Sequence, residues 1–140
     1  MDFARAKSPP PQPPVRYKVL LVDDDTAVLR SLAASLELEL DVVTCSSAER
    51  ALVLLGSGDF HVVCSDYSMS GMTGLELLQR VAQLPVAVGS ILVTGSSAFI
   101  GRQGAADHYV LMKPVDPERL SSLLIQLART AEMKRGVQRS

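Results

Sequence analysis

Five short apolar runs, each followed by a stretch with helical spacing or loop signals, restrict this chain to very few folds. The runs are Lys18–Val22, Asp41–Cys45, His61–Ser65, Ser90–Thr94 and His108–Met112. Each is too short to be a helix and rich in Val, Ile or Leu, as strands buried on both faces are. Between them the spacing changes. Val28, Leu29, Leu32, Leu36 and Leu40 recur on one helical face. Ser46 with Glu49 makes a capping-box pattern ahead of Leu52 and Leu55, and Gly56 to Gly58 ends that helix. Thr73 with Glu76 makes a second capping box, opening a helix that runs through Leu84 and stops at Pro85. Ala98–Ala105 is a helix candidate carrying Gly101 and Gly104. Asp116 then caps a last helix with Pro117 at its first position and Leu120, Leu123, Leu124 and Leu127 on its buried face. Strands alternating with helices predict an α/β domain: a five-stranded parallel sheet, doubly wound, with helices on both faces.

The ends of the chain read differently. Residues 1–16 hold Pro9, Pro10, Pro11, Pro13 and Pro14 and are expected to form a disordered tail, with residues 17–130 the domain and 131–140 a basic C-terminal tail. The formal net charge of −1 gives no electrostatic reason for nucleic acid as a partner. The apolar runs are too short to span a bilayer, and the N-terminus has no apolar signal core, which points to the cytoplasm. Cys45 and Cys64 each sit in an apolar segment without CxxC spacing and read as buried, reduced thiols. His61 and His108 are too few for a histidine metal site.

The chemistry gathers at the strand ends. The first run stops at Asp23, Asp24 and Asp25, the third at Asp66, the fourth at Thr94 and the fifth at Lys113. In a parallel sheet all of these lie on one edge, where ligands bind. Any of them alone has an ordinary explanation as a turn residue, a helix cap or a solvated charge. Together they predict an acidic cluster with a hydroxyl and an ammonium beside it. Crowded carboxylates repel one another unless one takes a proton or a cation intervenes. A hard, oxygen-only site of this kind suits Mg²⁺, with Mn²⁺ as the alternative. Carboxylates are known phosphoryl acceptors, and such transfer depends mainly on positioning and charge stabilisation. No GxGxxG follows the first strand and no GxxxxGK[ST] occurs, which disfavours a nucleotide-binding domain.

Four segments carry a resemblance: VLLVDDD from Val19 to Asp25, VVCSDYSMSGMTGLE from Val62 to Glu76, ILVTG from Ile91 to Gly95, and VLMKP from Val110 to Pro114. In this order and spacing they resemble the motifs of the response-regulator receiver family, over roughly Tyr17 to Arg129. The resemblance implies a flavodoxin-like (βα)5 fold. It implies that Asp66 accepts a phosphoryl group from a histidine kinase or histidine phosphotransfer protein. Asp24, Asp66 and the backbone carbonyl of Ser68 would bind Mg²⁺, with Asp23 acting through a water. Lys113 and Thr94 would hold phosphoryl oxygens, Pro114 would fix the Lys113 loop, and Ser68 and Ser96 would tune dephosphorylation. Asp25 receives no role. The downstream partner is unnamed by the sequence, and a homodimer through the face of the 98–105 helix, the fifth strand and the last helix is a further expectation. The alternatives are a docking module that works without phosphorylation, or a receiver belonging to a larger regulator or hybrid kinase. Neither nucleic acid nor membrane is expected as a direct partner.

Three positions depart from the family pattern. Ser70 stands where Pro is usual and Thr73 where Asp is usual. An aromatic residue commonly lies three positions before the lysine; here that residue is Val110, and Tyr109 is one residue early. Strand alternation puts Tyr109 and Val110 on opposite faces. The expectation is that Val110 takes the switch position and the surface switches by a modified route.

Overall fold

A computed structural model of the chain describes residues 16–95 and 108–139. The Pro-rich segment up to residue 15, Ser96 and the Ala98–Ala105 helix candidate lie outside the described residues. Within them the elements run β1 (Lys18–Val22), α1 (Thr26–Leu36), β2 (Asp41–Cys45), α2 (Ala48–Ser57), β3 (Val62–Asp66), α3 (Gly74–Val81), β4 (Gly89–Thr94), β5 (Tyr109–Met112) and α4 (Pro117–Arg139). The strands form one sheet in the order β2-β1-β3-β4-β5, with every pair parallel. This is the doubly wound parallel sheet expected from the strand–helix alternation, in the flavodoxin-like order that the resemblance implies.

The continuous apolar runs are explained by two cores. Val19, Leu21, Val62, Cys64, Ile91 and Val93 pack against α1 and α4 on one face of the sheet. Leu20, Val22, Val63 and Leu92 pack against α2 and α3 on the other. Successive side chains of a strand point to opposite faces, so a strand covered on both sides must be apolar throughout. Burying each such Val or Leu contributes roughly 1.5–3 kcal/mol before entropy is counted. The edge strands β2 and β5 are only partly covered, and neither contains a fully buried residue.

Besides α3, which ends at Val81 instead of running through Leu84, two expectations about helices change. The cap of α2 is Ser47 rather than Ser46: its hydroxyl accepts from the Arg50 N–H at 3.1 Å. That shift moves Glu49 to the second helical position, too early to close a capping box. The second change is at the C-terminus, where α4 continues to Arg139 past the expected start of a tail. Ala128, Ala131 and Arg135 extend the buried stripe of Leu120, Leu124 and Leu127 at helical spacing. Arg135 is itself buried and donates to the carbonyl of Ala87, at 3.0 Å, and to that of Phe60. His61 bridges the same region: its Nδ1 accepts from the Lys18 N–H at 3.1 Å, and its Nε2 lies 2.9 Å from Glu132 Oε2. The basic charges of this segment therefore include a structural guanidinium, buried and bonded to two main-chain carbonyls. The other capping expectations hold. Thr73 and Glu76 form a complete capping box at α3, and Asp116 accepts from the Glu118 N–H at 3.1 Å.

Candidate functional site

Parallel strands end together, so the carboxyl ends of β1, β3, β4 and β5 share one edge. Asp23 follows β1, Asp66 closes β3, Thr94 closes β4 and Lys113 follows β5. Carboxylate oxygens of Asp23, Asp24 and Asp66 all lie within 4.8 Å of one another. Asp66 is only 6% exposed, and its Oδ1 is 2.9 Å from Lys113 Nζ. Thr94 is buried, and its carbonyl accepts from the Lys113 N–H at 2.9 Å, which ties the β4 and β5 ends together. The Lys113–Pro114 peptide bond is cis. Ser68 is exposed in the loop after β3.

The electrostatics follow from burial and crowding. Burial pushes the Asp23 carboxyl above its ordinary value, and the neighbouring Asp66 and Asp24 charges add to this. The Asp25 N–H, donated to Asp23 Oδ1 at 2.9 Å, and the Lys113 charge pull the other way. The hydrogen bond to Asp66 raises the Lys113 ammonium above its ordinary value, against the opposing effect of burial. Three carboxylates with a single ammonium leave the edge with surplus negative charge. Their donor set is all oxygen and fits a hard divalent cation.

This predicts a measurable pH effect. A carboxyl raised in the native state keeps its proton where the unfolded chain has lost it, so stability falls as pH climbs above the ordinary value of 3.8. Asp23→Asn removes that loss while keeping an oxygen for the Asp25 N–H. In EDTA the variant is expected to melt a few degrees higher than the parent near pH 7, with the two converging toward pH 4. Added Mg²⁺ should raise the parent's melting temperature more than the variant's, because only a ligand that binds the native state stabilises it.

Two groups missed as site residues turn out to organise the edge. Asp25 is the N-cap of α1, accepting from the N–H groups of Ala27 and Val28 at 3.1 and 3.2 Å. The helix-cap explanation that the sequence left open for this acidic run is the one Asp25 meets. Glu49 accepts from the Met72 N–H at 3.1 Å, and this bond draws its carboxyl below the ordinary value. No local spacing announces a contact between residues this far apart in sequence. The Ser70 N–H points to Asp24 Oδ2 at a longer 3.4 Å.

The register also places Val110 and Tyr109. Val110 pairs with Leu92 and packs with the α2/α3 core, on the face that Thr94 shares by alternation. Tyr109 is half exposed and lies on the opposite face, where it borders a cleft with Leu127, Thr130 and Lys134 of α4. The ring is thus beside the last helix, one residue out of register with Thr94. Both cysteines are free, and burial pushes the Cys64 thiol up to about 12. His108 Nδ1 lies 2.6 Å from Ser90 Oγ, so neither histidine joins the acidic edge. Next to Asp66 and Lys113 a cavity of about 520 Å³ opens between α1 and the start of α4, with Val28, Leu29, Leu32 and Val115 among its walls. No helix among the described residues is long and apolar enough to cross a membrane.

Comparison with known proteins agrees with this geometry. Residues 19–125 match the family model described as the response regulator receiver domain. The two-component response regulator ARR14 of Arabidopsis thaliana is 36% identical over 124 residues, covering 83% of this chain and 32% of its own length. The response regulator protein FleR of Pseudomonas aeruginosa is 39% identical over 121 residues, covering 79% of this chain and 24% of its own. The chain therefore spans a third or less of these curated relatives. Among solved structures, a CheY-like receiver domain protein from Methanospirillum hungatei superimposes with a TM-score of 0.77 at 28% identity, covering 86% of this chain and 99% of that one.

Proposed function

The chain belongs to the response regulator receiver family, and from that premise we propose that Asp66 is its phosphoryl acceptor. The observation that carries this reading is the burial of Asp66 between Lys113 and the carboxylates of Asp23 and Asp24. A carboxylate oxygen of Asp66 attacks the phosphorus of a phosphohistidine. The new P–O bond forms as the P–N bond breaks, and the departing imidazole regains a proton. Asp23, Asp24 and Asp66, with the carbonyl of Ser68, would hold Mg²⁺ in this reading, Asp23 through a water. The cation supplies charge neutralisation for the transferring oxygens. Lys113 exchanges its contact with Asp66 for a phosphoryl oxygen, and the Thr94 hydroxyl donates to another. The donor is a histidine kinase or a phosphotransfer protein, and the apolar cavity beside Asp66 offers such a partner a surface. The domain turns over only its own phosphoryl group, with Ser68 and Ser96 setting the rate of hydrolysis.

The added charge at this edge then biases the surface around β4 and β5. Because Val110 occupies the face shared with Thr94, the motion is carried by an aliphatic side chain rather than a ring. Two measurements test these steps. Beryllofluoride with Mg²⁺ should shift the amide resonances of β4, β5 and α4; spectra unchanged by it would count against the switch. Thr94→Ala should retain label transfer to Asp66, because Lys113 still pairs with the carboxylate that reacts, yet give a much smaller spectral change.

A further inference from the structure

The loop between β3 and α3, Tyr67 to Thr73, has to place the Ser68 carbonyl beside Asp66. It does so without the proline usual after its methionine, since Ser70 stands there. Its ends are hung on backbone: the Tyr67 N–H donates to the Val93 carbonyl at 2.8 Å, and the Gly74 N–H donates to the Tyr67 carbonyl at 2.9 Å. The capping box holds Thr73. The middle of the loop is held by side chains from other elements. Asp24 accepts from Ser70, and Glu49, on the first turn of α2, accepts from Met72. The two contacts are not equal. Asp24 is a member of the acidic cluster, and its bond to Ser70 is long, so a cation drawing on that carboxylate competes with it. Glu49 is outside the cluster, so a cation held there draws on no oxygen that the Met72 N–H uses.

A second observation fits the same contact. Gly71 has φ +82°, and a Cβ built on it would sit 2.9 Å from Glu49 Oε1. The backbone at Gly71 therefore turns directly onto the Glu49 carboxylate, and the bond to the next N–H is a consequence of that close approach.

Accepting the reading of Asp66 given above, we infer that Glu49 is a positioning residue for phosphorylation: it pins the Gly71–Met72 turn and thereby holds the Ser68 carbonyl in place for the metal. It touches neither the phosphoryl group nor the cation, and it acts through the loop. In this chain it substitutes for the stiffness that a proline at position 70 would provide.

The test uses the whole chain with acetyl phosphate as donor, so that docking to a kinase does not enter. The phosphorylation rate is followed against Mg²⁺ concentration for the parent, Glu49→Ala and Glu49→Gln. Groups that orient metal ligands from outside usually matter by 10–100-fold; for an exposed one, Glu49→Ala is expected to raise half-saturating Mg²⁺ by about three- to tenfold. The rate at saturating Mg²⁺ should stay within about twofold, because the reacting groups are untouched. Glu49→Gln keeps an acceptor oxygen and should restore most of the Mg²⁺ dependence, and the melting temperature of Glu49→Ala should fall by no more than the few degrees that one lost hydrogen bond costs. A Mg²⁺ curve for Glu49→Ala that overlays the parent's overturns the inference and leaves the Asp66 reading intact. If the parent itself takes no phosphoryl group, the Asp66 reading falls instead. The anchor is then judged by amide exchange at Met72, which should accelerate about tenfold in Glu49→Ala, the mark of a lost hydrogen bond. Unchanged exchange there overturns it in that case too.

Discussion

Asp66→Asn is expected to abolish phosphoryl acceptance while leaving the fold intact. An amide oxygen is a poor nucleophile, and label transfer from either acetyl phosphate or a phosphohistidine donor should fall by more than about two orders of magnitude. The loss is chemical rather than structural. Asn has the shape of Asp and still offers an oxygen to Lys113 Nζ, which lies 2.9 Å from Asp66 Oδ1. It also removes one of the charges that hold the Asp23 carboxyl above its ordinary value. Burial is the larger cause and remains, so Asp23 should relax only part of the way. The melting temperature in EDTA should therefore be equal to or above that of the parent, and Mg²⁺ should bind more weakly for want of one anionic ligand. Mass spectrometry of the intact chain after exposure to acetyl phosphate, with and without Mg²⁺, gives the decisive measurement. A phosphorylated Asp66→Asn protein would place the acceptor elsewhere.

The second large effect comes from a residue with no chemistry at all. Gly74 opens α3, and a Cβ there would lie 2.1 Å from the carbonyl oxygen of Asp66 and 2.9 Å from Ser65 Oγ. The first of these is backbone at the end of β3, so no rotamer change relieves it. Helix propensity favours Ala over Gly by about 1 kcal/mol. Overpacking costs about 1–3 kcal/mol and sometimes more, and a backbone collision this close falls at the upper end. The collision therefore outweighs the propensity, and Gly74→Ala should lose about 2–3 kcal/mol net, roughly 5–10 °C in melting temperature for a chain of this size. It should also slow phosphorylation, because the atoms that must move are the main chain of Asp66. Urea unfolding of the two proteins side by side checks the first claim; equal midpoints would mean that α3 slides away from the strand without cost.

How far the sequence could be read varies with the range of the interactions involved. The strands were legible because each central one is covered on both faces and carries an unbroken apolar stretch, as in Val19 to Val22. Asp23, Asp66, Thr94 and Lys113 were legible because parallel strands bring their ends together whatever the loops do. The contacts of Glu49 were not. Its pairing with Met72 joins α2 to a loop beyond the next strand, and a one-residue shift of the cap from Ser46 to Ser47 redirected its side chain. The end of α4 was missed for a related reason. Arg135 looks like a solvated charge until its neighbours, the carbonyls of Phe60 and Ala87, are known. Tyr109 lies between the two cases: alternation placed it on the face opposite Val110, but its position beside α4 depends on packing.

Arg135 gives α4 a mechanical character that neither the sheet nor the shorter helices have. At 1.5 Å per residue, the 23 residues of α4 make a rod about 35 Å long. A five-residue strand such as β3 covers only about 17 Å. Leu120 seats the rod near the acidic edge, while Arg135 bolts it beneath the first residues of β3 and β4, at the opposite rim. A beam fastened at both ends cannot pivot about one of them without tearing loose from the other. A rigid displacement of α4 at the acidic edge would then slide the helix along its axis or break the guanidinium contacts, and either way would be felt at the far rim of the molecule.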